Sequence, residues 1–221
     1  MEKLGILFDY NGVLANDEHL HEEGFREVLS QFGVDLTAEF YKEYCLGRTD
    51  ADGFEALKVR LGEQLAGLAT QELVAMKQSA YQQRMVPEEI LYPGVVGVLS
   101  GLNGSCPYAI VTSSKRCEVM PVVEYLGQYD IRFRTLVTAD DITRGKPDPE
   151  GYLKGLSAIE LPQERVVAVE DSPSGVKAAK AAGLVCIAVC HTTPNDRLRE
   201  ADMIVPNIRN ITPWLLRSVI G

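Results

Sequence analysis

Short runs in which nearly every position is apolar fall at residues 4–9, 108–112, 135–138, 166–170 and 184–189, each bounded by polar or turn-forming residues. Strands buried on both faces read this way, because neither side of a covered parallel sheet meets water. Between most of these runs, apolar residues recur at helical spacing. The alternation predicts an α/β fold with a mostly parallel sheet covered on both faces. One interval departs from it. From residue 16 to residue 92 no strand-like run occurs, and the apolar positions keep a helical period through Leu20, Phe25, Val28, Leu29 and Phe32, then Phe54, Leu57, Leu61 and Leu65, then residues 73–81. That interval predicts a small helical domain over 16–92, inserted in a core made of residues 1–15 and 93–221. Hinges are expected near residues 15–17 and 91–94, where Tyr92, Pro93 and Gly94 supply turn chemistry for the return.

Composition narrows the classes of function. The balance of 22 Lys+Arg against 31 Asp+Glu gives a net charge of -9, which disfavours nonspecific contact with nucleic acid or an anionic membrane. No apolar run approaches the roughly 20 residues that cross a bilayer, and Asp9 interrupts the apolar stretch near the N-terminus. A soluble, cytoplasmic protein is expected. The cysteines, Cys45, Cys106, Cys117, Cys186 and Cys190, are odd in number and lack CxxC spacing. They signal neither a disulfide framework nor a zinc site and are expected to be core thiols. Nothing suggests a coiled coil, and the expected state is a monomer.

Candidate chemistry gathers at one edge of the expected sheet. Asp9 ends the first strand and Gly12 lets the chain turn just after it, so a carboxylate is aimed out of a buried strand. Thr112, Ser113, Ser114 and Lys115 end the second strand. Arg144, Gly145, Lys146, Pro147, Asp148 and Pro149 follow the third, and Glu170, Asp171 and Ser172 end the fourth. Ligands of open α/β sheets bind outside the carboxyl ends of the strands. A carboxylate nucleophile, hydroxyls and amides at a helix start, a lysine and an acidic pair are what metal-assisted phosphoryl transfer requires. Each also has an ordinary reading. Thr112 and Ser113 suit a helix cap, Glu170 and Asp171 suit the start of a helix entered through Pro173, and Lys146 suits an exposed turn.

In order and placement these segments resemble the motifs of the haloacid dehalogenase-like superfamily of phosphotransferases, over nearly the whole chain. The resemblance implies a Rossmann-like core with a helical cap inserted after the first strand, near the cap-bearing phosphatases and β-phosphoglucomutases. It also implies roles. Asp9 becomes phosphorylated, Thr112, the Ser113 amide and Lys115 bind the phosphate, and Lys146 neutralises charge and restrains Asp9. Mg²⁺ is held by Asp9, Asp171 and Glu170 together with the backbone carbonyl of Asn11. The substrate is a small phosphorylated metabolite, over which the cap closes.

Asn11 departs from the family pattern, which has a second aspartate there as acid and base. An amide does neither near neutral pH, while its backbone carbonyl is unchanged. The reading is a slowed phosphatase, with His21 or Asp17 as possible compensation; the alternatives are a phosphomutase and a phosphate-ester binding protein with impaired turnover. In the cap, His21, Arg48 and Lys77 are candidates for substrate contact, Arg48 because its fork suits a second anionic group. The mutase arginine would align nearer Asp50, which argues against simple transfer of mutase activity. His19 and His191 carry no expectation.

Overall fold

Gly5, Ile6, Leu7 and Phe8 form strand β1 (Gly5–Phe8), buried along its whole length. The computed structural model describes residues 3–220, in two compact units. One unit holds the described residues up to Asn16 and from Pro87 onward, the other Asp17–Val86. After β1 the chain builds the second unit from helices α1 (Glu18–Ser30), α2 (Ala38–Tyr44), α3 (Asp50–Leu61) and α4 (Thr70–Arg84). Phe25, Val28, Leu29, Phe54, Leu57 and Leu73 meet in its core, the residues whose helical spacing marked the interval. Thr37 and Thr49 cap α2 and α3 by accepting from the amides of Phe40 and Asp52 at 3.2 and 3.1 Å, satisfying donors a helix start leaves open.

The chain re-enters the first unit at Pro87. Helices α5 (Pro87–Ile90) and α6 (Val95–Leu102) lead to β2 (Tyr108–Val111), α7 (Arg116–Gly127), β3 (Leu136–Val137), α8 (Glu150–Ile159), β4 (Val166–Glu170), α9 (Pro173–Ala181), β5 (Val185–Val189), β6 (Met203–Val205) and α10 (Pro213–Ile220). The crossing at residues 86–87 lies ahead of residues 91–94 because the intervening segment is tied back to the chain after β1. Asn16 N–H donates to the Ile90 carbonyl at 2.6 Å and Tyr92 N–H to the Leu14 carbonyl at 2.9 Å.

The six strands run in the order β3-β2-β1-β4-β5-β6, and every pairing is parallel. This is a Rossmann-like α/β fold. Five strands lie within the apolar runs; β6 lies outside them and is a sixth strand beyond the five expected. With three residues, paired to β5 alone, it is too short to carry a pattern. Contrary to the expectation of five core thiols, Cys117 is exposed and Cys190 half-buried, while Cys45, Cys106 and Cys186 are buried. Among the described residues, no helix is long and apolar enough to cross a membrane.

Strand order sets the position of the chemistry. The chain leaves β1 for β2 on one side, and β4 lies against the other. The strand order therefore reverses between β1 and β4, which opens a crevice at their carboxyl ends. Phe8 pairs with Val169, so Asp9 and Glu170 emerge side by side.

Candidate active site

Asp9 continues the β1 ladder by one bond, its N–H donating to the Val169 carbonyl at 2.9 Å. The chain then turns around the Tyr10 carbonyl, which accepts from the amides of Val13, Leu14 and Ala15. Gly12 makes the turn feasible. Its φ of +75° favours glycine, and a Cβ would lie 2.0 Å from Asp171 Oδ2, so conformation and room both exclude a side chain.

Lys146 reaches two carboxylates at once. Its ammonium lies 2.7 Å from Asp9 Oδ1 and 2.6 Å from Glu170 Oε1. Burial alone would lower its basicity, but Asp9 and Glu170 outweigh that and hold it above the ordinary lysine value. Glu170 is fully engaged: Oε1 also accepts from Tyr152 Oη at 2.7 Å, and Oε2 accepts from Asp171 N, Ser172 N and Ser172 Oγ at 3.1, 3.3 and 3.2 Å. Those donors occupy the lone pairs a carboxylate offers. Gly175 leaves space for them, since a Cβ there would lie 1.9 Å from Glu170 Oε1.

The loop carrying Lys146 is closed by Glu150, which accepts from Thr143 N, Thr143 Oγ1, Arg144 N and Lys154 Nζ. Lys154 and Thr143 lead the interactions that hold its carboxyl down at about 2. A carboxyl depressed in the folded state lends stability above its ordinary pKa and loses it as pH falls through the depressed value. Glu150→Gln is therefore expected to flatten the acid limb of the stability curve between about pH 4.5 and pH 2. Thermal melts of both proteins across that window check it, parallel acid limbs being the contrary result.

Asp9, Glu170 and Asp171 each bring an oxygen within 4.8 Å of the others, all three residues being buried. Burial and then the Glu170 charge push the Asp9 carboxyl up to about 7, against the pull of Lys146. Burial, Asp9 and Glu170 likewise raise Asp171 well above the carboxylate range, although Thr192 donates to its Oδ2. With all three groups ionised, three carboxylates facing one ammonium leave an excess of negative charge equal to one divalent cation, so a bound cation and their ionisation favour each other. An all-oxygen donor set with that excess fits a hard ion such as Mg²⁺.

Hydroxyls and an amide at the end of β2 meet Asn11, two residues beyond Asp9. Asn11 Oδ1 accepts from Ser114 Oγ at 2.5 Å and Thr112 Oγ1 at 3.4 Å, while Thr112 Oγ1 accepts from Ser114 N at 3.0 Å. Thr112 and Ser114 are buried and Ser113 is exposed. Lys115 ends the loop by donating its N–H to Glu118 Oε2 at 2.9 Å, which caps α7. Asp9, Lys146, Glu170 and Asp171 are thus gathered with Tyr152 and Thr192, and Asn11, two residues beyond Asp9, gathers Thr112 with Ser114. Ser114, Tyr152 and Thr192 drew no role from sequence reasoning. Ser114 stood inside the Thr112 motif, whereas nothing in sequence ties Tyr152 or Thr192 to their carboxylates.

The remaining candidates lie in the helical unit. Lys77 is fully buried, its ammonium 2.9 Å from Asp50 Oδ1 and 2.5 Å from His21 Nδ1. An ammonium only donates, so His21 Nδ1 accepts, leaving the ring proton on Nε2, 3.4 Å from Asp17 Oδ2. Tyr81 Oη donates to the same Asp17 oxygen at 2.7 Å. His21 and Lys77 therefore belong to a polar network inside that unit, while Arg48 is exposed in the loop before α3.

The family described as haloacid dehalogenase-like hydrolase matches residues 6–189. Validoxylamine A 7'-phosphate phosphatase of Streptomyces hygroscopicus subsp. limoneus is 30% identical over 206 residues, covering 93% of this chain and 94% of its own. Hexitol phosphatase A of Escherichia coli is 30% identical over 222 residues, covering 94% and 95%. A crystal structure of CbbY from Rhodobacter sphaeroides, an aspartate-to-asparagine mutant in complex with xylulose 1,5-bisphosphate, superposes with a TM-score of 0.82 at 28% identity, covering 95% and 96%.

Proposed function

The chain belongs to the haloacid dehalogenase-like hydrolases, and from that premise we propose that it is a phosphatase of a small phosphorylated sugar or polyol, working through a phosphoryl group carried on Asp9. The observation that carries the proposal is the Lys146 ammonium 2.7 Å from Asp9 Oδ1, with an Asp171 oxygen within 4.8 Å of an Asp9 oxygen. A carboxylate held that way keeps one oxygen oriented for in-line attack. The relatives' names point to the substrate class: a hexitol phosphatase, a validoxylamine phosphate phosphatase and a protein holding xylulose bisphosphate.

The chain's own groups divide the work. An Asp9 oxygen forms a bond to phosphorus as the ester P–O bond breaks, and the leaving alkoxide takes a proton from solvent water, which the hydrolysis step gives back. Water then attacks the acyl phosphate, returning the carboxylate and inorganic phosphate. Thr112, the Ser113 amide and Lys146 stabilise the charge on the equatorial oxygens. Mg²⁺ would be held by Asp9, Asp171 and the Asn11 carbonyl, and when bound it offsets the repulsion between carboxylates and phosphate. Glu170, its lone pairs occupied, serves in this scheme by positioning Lys146. Asn11 keeps Thr112 and Ser114 oriented but supplies no proton, so both steps are slow.

The test is phosphate release over a panel of sugar and polyol phosphates with Mg²⁺. Release is expected to vanish in EDTA and return with added Mg²⁺. Equal release in EDTA would reject the metal assignment. Isomerised sugar phosphate without phosphate release would select the mutase reading, and calorimetric binding of esters without release under any condition would select a binding protein.

A further inference from the structure

The turn that presents Asp9 is held by two residues whose rings stack, His191 through its ring and Tyr92 through its backbone N–H. His191, two residues beyond β5, brings Nδ1 within 2.9 Å of the Gly12 carbonyl and Nε2 within 3.2 Å of the Ile208 N–H. A backbone N–H only donates and a carbonyl only accepts, so the ring is neutral with its proton on Nδ1. Tyr92 stacks on it, ring centroids 3.9 Å apart at 25°. Tyr92 in turn donates its N–H to the Leu14 carbonyl at 2.9 Å. Two carbonyls of the same turn, Gly12 and Leu14, are thus held by one stacked pair.

Gly12 is also where the turn presses on Asp171, with no room for a methyl group between them. We propose that His191 is a positioning residue: through the Gly12 carbonyl it fixes the spacing between the Asp9 turn and Asp171, and so the geometry in which both carboxylates meet a cation and a phosphate. The inference rests on the phosphatase reading. Burial holds the imidazole below its ordinary pKa, against the bond to Gly12 that raises it. The neutral tautomer therefore persists at neutral pH.

Partners that orient metal-binding groups typically contribute about 10- to 100-fold in metal affinity or activity. His191→Leu removes the donor and keeps an apolar side chain under Tyr92; His191→Asn keeps an N–H close to the position of Nδ1. Calorimetric titration with Mg²⁺ is expected to show affinity lowered by about 10- to 100-fold in the leucine variant and mostly recovered in the asparagine variant. In phosphate release, kcat is expected to fall with little change in KM. Histidine ¹⁵N spectra of the unsubstituted protein should place the ring proton on Nδ1, a reading independent of folding in either variant. Unchanged Mg²⁺ affinity in a folded leucine variant, or a proton on Nε2, would overturn the role. An unsubstituted protein that releases no phosphate would reject the phosphatase reading instead, while the tautomer still decides this one.

Discussion

Asn11→Asp is expected to raise turnover by about 10² to 10⁴, the range that a positioned acid and base contributes. The local structure favours a clean exchange. Asn11 Oδ1 accepts from Ser114 Oγ and Thr112 Oγ1, and a carboxylate oxygen accepts the same bonds. The new carboxyl would enter a neighbourhood already rich in negative charge, where burial and Glu170 push Asp9 up to about 7. Initial rates of phosphate release by the two proteins, at saturating ester and Mg²⁺, make the comparison. Equal rates would mean that another group carries the proton, and Asp17 and His21 would be the first to replace.

Asp9→Asn is expected to lower phosphate release by at least about four orders of magnitude, since losing a nucleophile removes the covalent route and not one contribution to it. The fold should survive. Lys146 keeps its 2.6 Å partner in Glu170, and one fewer carboxylate relieves the crowding among Asp9, Glu170 and Asp171. Without added metal the variant is therefore expected to melt no lower than the unsubstituted protein. Inactivity accompanied by early melting would instead make Asp9 a structural ion-pair member.

How much of this was legible in the sequence depended on what each residue interacts with. β1, β2, β4 and β5 were legible because strands covered on both faces must be apolar throughout, and that requirement is local. β6 was not, because three residues at an edge are too few to set a pattern. Asp9, Thr112, Lys146, Glu170 and Asp171 stood out because each follows an apolar run, which points them at one edge of the sheet. Tyr152 and Thr192 sit inside a helix and a loop, and their partners Glu170 and Asp171 lie far off in sequence. His191 stayed silent for the same reason: its meaning comes from Gly12 and Ile208 at once. Lys77 reads as an ordinary lysine on a helix, and only the packing of α1, α3 and α4 shows its ammonium enclosed by Asp50 and His21. Likewise, a Glu-Asp pair reads as two equivalent ligands. Their hydrogen-bond partners differ: Glu170 accepts from Lys146, Tyr152 and Ser172, whereas Asp171 accepts from Thr192 and lies beside Gly12.

The central claim is that Asp9 carries the phosphoryl group. Its most direct test is to mix the protein with a reactive phosphate ester and Mg²⁺, quench in acid on a series of short delays, and locate the modification by peptide mass spectrometry. The expected result is phosphate on the peptide containing Asp9, persisting longer with Asn11 than in Asn11→Asp and missing in Asp9→Asn. Phosphate release with no modified Asp9 at any delay, or modification at another residue, would contradict the account.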